Sequence, residues 1–375
     1  MINLSDEAII NYSENYIRYM SPKISKKILH YTSRDINPFT GEEITSLFTN
    51  RQSSSKEFIE HLLAKDIAFL CKNYEEFKNY FLTSKLIFLS DIDSKNKWAS
   101  KKNLDNLELK KIRKELVEKY QNQWLYNILS EHKDFYKNKT KYLQFISEIK
   151  KKLKLLHSLI DKSINYSMIS SQKRHEILYS FKVEVCPYCN RNFISNYEKE
   201  GKSKTTSDLD HFYPKKDFKL LSLSLYNFVP SCQICNSRFK LAKGIEIINP
   251  YNQKIDYKKM RFCTTLNKDS TLDIFFNQST NFEIKLICED EIYNDHALLF
   301  ELEKLYNCHK IFVSEILYKK EAYNNAYKDS FNELFKNMNL SEIDKNRLLY
   351  GTELDENLFY KRPLSKLVYD IVQEN

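Results

Sequence analysis

With 375 residues, 42% of them hydrophobic, the chain can fill two or three domains with a proper core, which argues against global disorder. Only four glycines occur, against a usual share of about 7%, so a many-stranded sheet with many tight turns is disfavoured and long helices are expected. The net charge of +9 is unevenly spread: residues 171–260 hold 16 Lys/Arg against 9 Asp/Glu, while the other 285 hold 43 against 41. A basic surplus concentrated in one segment is the footprint expected where a polyanion approaches.

The start, M-I-N-L-S-D-E-A, lacks the basic residues and apolar run of a signal peptide, and no uncharged run of about 18 apolar residues appears. A cytoplasmic protein is expected. Residues 1–180 read as a helical region. Ser5-Asp6-Glu7 makes an acidic first turn, and Ser55 precedes an apolar face of Phe58, Ile59, Leu62 and Leu63. Residues 104–131 and 141–168 read as two longer amphipathic helices. In the second, Tyr142, Phe145, Ile146, Ile149, Leu153, Leu156, Ile160 and Ile164 recur at threes and fours. Its other face carries Lys150, Lys151, Lys152 and Lys154, which reads first as a solvated surface and second as a nucleic-acid contact. The polar stretches 35–53 and 92–103 read as connections. The histidines of this region have no ligand partner at helical spacing and read as ordinary surface or core residues.

Residues 181–260 change character. Val183–Val185 reads as a short strand, and Phe193–Tyr197 with Thr205–Leu209 as a hairpin turning at Glu198–Lys202. Asp210-His211 is then placed where the second strand ends. Cys232–Lys243 reads as a short helix stopped by Gly244. Beyond Pro250, Leu272–Phe276 and Phe282–Leu286 read as a second hairpin. Helices follow from Ala297 to about Met338 and over Ser341–Leu349, with a tail at 355–375. The expected organisation is therefore mainly α with a small α+β insert: 1–180 helical, 181–260 a central core, 261–375 a small β element and helices.

Eight cysteines are present, and four of them form two C-x-x-C pairs, Cys186/Cys189 and Cys232/Cys235. Two such pairs can supply four thiolates to one tetrahedral ion, most often structural zinc. The alternatives are cysteines used as small apolar residues or a redox C-P-Y-C, which would need a βαβ setting. Cys71, Cys263, Cys288 and Cys308 show no pairing rhythm and fit a reducing compartment. His296, Cys308 and His309 are a weaker second candidate for a metal. Between the two cysteine pairs lies one histidine, His211, a possible general base. Asp210 beside it and Asn236 directly after Cys235 offer hard oxygen ligands for a divalent ion.

The order C-x-x-C, D-H-x-x-P, N-x-V-P-x-C-x-x-C-N-x-x-x-K over Cys186–Lys240 resembles the HNH endonucleases, the ββα-metal type with a zinc staple. The resemblance covers about 55 residues and implies hydrolysis of DNA phosphodiesters. It assigns His211 as general base, Asp210 and Asn236 as ligands of a catalytic Mg²⁺ or Mn²⁺, and Asn227 as the brace of the histidine loop. Zn²⁺ on the four cysteines would be structural. Lys215, Lys216, Arg238 and Lys240 are expected to meet nucleic acid. With I-I-N-P-Y at 247–251 and N-D-H-A-L-L-F-E-L-E-K-L-Y-N-C-H-K at 294–310, the chain is most similar to the HNH subunits of Septu-type anti-phage systems. That similarity implies an ATPase partner, since this chain has no G-x-x-x-x-G-K-[ST] of its own. A restriction or mobile-element HNH nuclease, and a zinc-stabilised nucleic-acid-binding module without catalysis, are the alternatives.

Overall fold

Apolar residues at threes and fours organise the N-terminal half. The computed structural model describes residues 2–49, 53–92, 105–251 and 255–374. Among the described residues, eight helices precede the central segment: α1 (Asp6–Ile28), α2 (Ser55–Ala64), α3 (Ile67–Asn73), α4 (Glu75–Leu89), α5 (Asn106–Tyr120), α6 (Tyr126–Glu131), α7 (Lys139–Ser163) and α8 (Ser171–Ser180). The Ser5 hydroxyl caps α1 by accepting from the Glu7 N–H, and Lys26 and Lys27 complement the dipole at its end. Its buried face is Ile9, Tyr16, Met20, Ile24 and Ile28, which packs on α2 and α7.

α7 buries the apolar series expected of it, but it ends at Ser163, with a short 3-10 turn at Tyr166–Met168 beyond. The long helix expected over 104–131 is broken after Tyr120. The Asn122 side chain there accepts from the Trp124 N–H and starts a new turn. Such short polar residues compete with the helical ladder, which is why they cap rather than continue it. The stretch 35–53 is more than a polar connection: Ile44, Leu47 and Phe48 of a 3-10 turn are fully buried. Residues 93–103 of the second expected connection lie outside the described residues.

The central segment departs from the expected hairpin. β1 (Asn196–Lys199) pairs with β2 (Lys202–Thr205), so the first strand starts three residues later than expected and the second three residues earlier. Asp210 and His211 belong instead to β3 (Asp208–His211), which pairs with β4 (Phe228–Ser231), setting Asp210 opposite Val229 and His211 opposite Phe228. Val185 makes only a single bridge to Phe193 rather than a strand. After β4 the chain passes directly into a helical segment whose Cys235–Lys240 portion is π-wound; the Leu241 N–H reaches the Asn236 carbonyl. The left-handed residue that ends it is Leu241 (φ 45°), not Gly244. Gly244 answers a different need, because a Cβ there would fall 2.0 Å from the Phe88 carbonyl oxygen at the end of α4.

In the C-terminal part, Leu272–Phe276 is a 3-10 turn, so the expected second hairpin does not form. β6 (Phe282–Cys288) pairs with β5 (Met260–Leu266), where Met260 and Phe262 face the core and Arg261 faces out. α9 (Glu291–Leu299), α10 (Leu302–Tyr306), α11 (Lys310–Ala322), α12 (Asn325–Leu334) and α13 (Glu342–Tyr350) follow, then α14 (Ser365–Gln373) inside what reads in sequence as a tail. α14 covers an open edge: the Asp370 carboxylate accepts from the Phe262 N–H at 2.9 Å, and Glu374 accepts from Thr264. Paired with Lys366 in the interior, Asp370 thus satisfies a strand edge that would otherwise stay unpaired. One continuous apolar cluster runs from Leu4 to Ile371 through all three expected parts, with a second around Phe145 between α4 and α7. Among the described residues no helix is long and apolar enough to cross a membrane.

His157 on α7 reports on this packing. The Tyr80 hydroxyl accepts from the Leu220 N–H and forms a hydrogen bond with His157 Nε2 at 3.2 Å. Burial, and then the Lys219 charge, lower the His157 pKa from 6.5 to about 4. The unfolded chain therefore takes up this proton below about pH 6.5 and the folded chain only below about 4. Stability is expected to fall by about 1.4 kcal/mol per pH unit across that window. Urea denaturation at pH 7 and pH 5 should show a smaller loss for His157→Gln, whose amide can still bond to Tyr80.

Candidate active site and metal centre

The two cysteine pairs are brought together from the turn before β1 and from the end of β4. All four cysteines are buried, and their sulfur atoms lie within 4.8 Å of one another. Asn190 at φ 47° lets the first pair turn back, and its N–H returns to the Cys186 carbonyl at 2.9 Å. The Asn192 amide donates to Cys232 Sγ at 3.2 Å, as does the Cys235 N–H at 3.5 Å. Four thiols this close perturb one another. Cys186 is pushed up by burial, Cys235 by its thiol neighbours, while Cys232 and Cys189 are pushed down by hydrogen bonds from those neighbours. A thiophilic cation at the centre suits this set, because it would let all four ionise together. The group is a buried four-cysteine cluster that could hold a metal ion, in a mainly helical protein. Among the described residues it is also the only group of three or more His, Cys, Asp or Glu placed to share an ion. His296 instead donates from Nε2 to the Tyr188 carbonyl at 2.9 Å.

The cage is bolted to the rest of the fold. The Tyr306 hydroxyl donates to the Cys189 carbonyl at 2.6 Å, and the Asn190 side chain reaches the Phe359 carbonyl and the first turn of α14. Tyr188, between the first two cysteines, stacks on Phe300 at 4.9 Å and donates its hydroxyl to Asp210 Oδ2 at 2.5 Å. The same carboxylate meets the Lys240 ammonium, 3.0 Å from Oδ2 and 3.2 Å from Oδ1. Lys240 also donates to the His211 carbonyl at 2.6 Å. Both side chains are under 8% exposed. Burial raises the Asp210 pKa above its ordinary value, against the opposing pull of Lys240 and Tyr188.

Lys240, expected at a nucleic-acid surface, is therefore interior, because Asp210 needs a counter-charge there. The same geometry bears on the divalent-ion pair. Asp208 and Asp210 share one strand face, and the Asn236 amide donates to Asp208 Oδ2 at 3.0 Å. With the lysine ammonium already seated on both Asp210 oxygens, Asp210 and Asn236 do not form an open divalent site in this arrangement.

His211 points to the opposite face of β3. Its ring packs edge-on against Phe228 at 5.1 Å and Tyr166 at 4.7 Å. Nε2 lies 3.0 Å from the Ser222 carbonyl, which can only accept, so Nε2 carries the hydrogen and Nδ1 the lone pair. Burial, which outweighs the Ser222 bond, lowers its pKa to about 3, with Lys215 and Lys240 adding to the effect. The imidazole is neutral at cellular pH.

Asn227 braces the loop after the histidine: its Oδ1 accepts from the Tyr213 N–H at 2.7 Å, and its Nδ2 donates to the Tyr213 and Leu221 carbonyls. The helical region supplies the outer wall. Tyr16 of α1 donates to the Leu223 carbonyl at 2.8 Å, next to the Ser222 carbonyl that orients His211. Lys219 pairs with Asp161 of α7 at 2.6 Å. Lys215 lies over the Tyr166 ring at 4.3 Å, close to the histidine, while Lys216 and Arg238 are exposed. Sequence reasoning missed Tyr188, Ser222, Tyr16 and Tyr166. Tyr188 had a local signal, its place inside C-P-Y-C; the others act across 45 to 207 residues or through backbone atoms and had none.

No protein-family model, curated protein or solved structure matches this chain.

Proposed function

We propose that the chain is a metal-stapled nuclease of the HNH type that hydrolyses DNA phosphodiesters, with His211 as general base. The observation that carries the reading is the tautomer of His211. A neutral ring, held through Nε2 by a backbone carbonyl, keeps Nδ1 ready to take a proton from water. The order β3, β4, helical segment, with Asn227 bracing the intervening loop, supports the same reading. Zn²⁺ is the cation proposed for the four cysteines. A bound phosphodiester places negative charge near the imidazole and so draws its pKa upward from about 3.

The resemblance assigns Mg²⁺ or Mn²⁺ to Asp210 and Asn236, where it would neutralise charge on the departing oxygen. Lys240 occupies both Asp210 oxygens, so Asp210 has no open place for that ion in this arrangement. The expected biological setting is a cytoplasmic anti-phage system with an ATPase partner; a restriction or mobile-element nuclease is the alternative setting. A nicking assay on supercoiled plasmid, with Mg²⁺ or Mn²⁺ and with or without a candidate ATPase, tests the reading. Wild type is expected to nick, and His211→Ala to lose about 10²- to 10⁴-fold in rate while retaining DNA binding. The buried Asp210–Lys240 pair favours a second reading, a binding module without catalysis. Retained DNA binding without any nicking by wild type would select it.

A further inference from the structure

Beside the His211 site lies a cleft of 740 Å³ that the chemistry above does not use. One wall is α7, where Lys150, Leu153, Lys154 and His157 fall at helical spacing on one face. The facing wall is the loop after the histidine, with Lys216 and Lys219, and the turn carrying Lys243 and Gly244. Ile87, Phe88 and Ile245 give it an apolar floor. Five lysines thus line the cleft against two carboxylates, Asp91 and Asp217. Lys219 is paired with Asp161, and Lys216 and Lys150 act at longer range on Asp217, but among the described residues Lys150, Lys154 and Lys216 form no close ion pair or hydrogen bond, and all three are exposed. Lysine side chains from two separate parts of the chain converge here without carboxylates to match, which is a cost unless an anion neutralises them.

We infer that this cleft binds the phosphate backbone of a nucleic-acid strand, so that the helical region forms half of the substrate-binding surface. This rests on the nuclease reading and extends it. Continuity argues for a strand rather than a free nucleotide. Lys215, over Tyr166 and close to His211, and Lys216, in the cleft, are neighbours on one loop, so a backbone leaving the histidine has a basic path to follow. An aromatic ring on the floor, Phe88, suits a base turned inward from such a strand.

The test uses the full chain carrying His211→Ala, so that DNA is not consumed. Fluorescence anisotropy with a labelled single strand and a labelled duplex is measured from 50 to 200 mM salt. Lys150→Gln/Lys154→Gln is expected to weaken binding and to reduce the slope of log K on log salt by about 1.4 to 1.8 for two lost phosphate contacts. Lys151→Gln, on the same helix but outside the cleft, is expected to change neither. An unchanged affinity and slope for the double variant overturns the cleft assignment, while nicking by the otherwise wild-type chain still stands for the nuclease. Competition by ATP that depends on Lys150 and Lys154, with DNA binding unaffected, also overturns it and makes the cleft a nucleotide pocket. Absence of both nicking and nucleic-acid binding removes both readings.

Discussion

Cys232→Ser is expected to leave the cage without its metal ion and to destabilise the whole central and C-terminal structure. Cys232 receives hydrogen bonds from Asn192 and from the Cys235 N–H, so its sulfur is oriented by the fold as well as by the ion. Removing one of four thiolates opens a closed structural site. Structural zinc contributes about 10–16 kcal/mol in small zinc domains, which equals or exceeds the ~5–15 kcal/mol net stability of a typical domain. The damage should spread, because Asn190 and Tyr306 tie the cage to α14 and to α10, and Tyr188 ties it to Asp210. We expect about one metal ion per wild-type chain by mass spectrometry and none bound tightly in Cys232→Ser. The variant's Tm should fall by on the order of 10 °C or more. Treatment of wild type with a strong chelator should do the same. Cys308→Ser, which alters an exposed thiol outside the four-cysteine group, serves as the control. Full metal content in Cys232→Ser would remove the cage from the account.

Lys240→Met is expected to cost about 3–5 kcal/mol, the second large effect. It leaves the Asp210 carboxylate in the interior with Tyr188 as its remaining side-chain donor, and breaking a buried pair costs far more than losing an exposed one. Surface pairs such as Lys56–Glu60, 3.9 Å apart on α2, are worth about a tenth of that. Asp210→Asn/Lys240→Met should regain much of the loss, since a neutral amide oxygen still accepts from Tyr188. Urea unfolding of the two single variants and the double variant measures the coupling. Strict additivity would show that the two groups are not paired inside the folded protein. The same series bears on the active site, because Lys240 also holds the carbonyl of His211.

Local patterns determined a good part of this protein. The spacing of Cys186, Cys189, Cys232 and Cys235 is a property of the chain, and it was enough to forecast one shared cage. The apolar series on α7 was likewise legible, because helical periodicity is set by residues three and four apart. Strand pairing was not. Proximity in sequence pairs Phe282–Leu286 with Leu272–Phe276, whereas the structure pairs Phe282–Cys288 with Met260–Leu266, whose Met260 and Phe262 the core takes on one face. The tail at 355–375 read as irregular because its helix is short, and its value lies in capping the distant edge of β5 through Asp370.

The site divides in the same way. Sequence by itself named His211, Asp210, Asn227 and Asn236 as chemistry-bearing residues within a cysteine frame. Tertiary structure alone decided that His211 is oriented by the Ser222 carbonyl, that Asp210 is held by Lys240 and Tyr188, and that α7 faces the histidine loop across a basic cleft. The physical reason is burial. A residue type and its spacing state which bonds a side chain can make, but desolvation and the partners brought up by remote segments decide which one it makes and in which charge state.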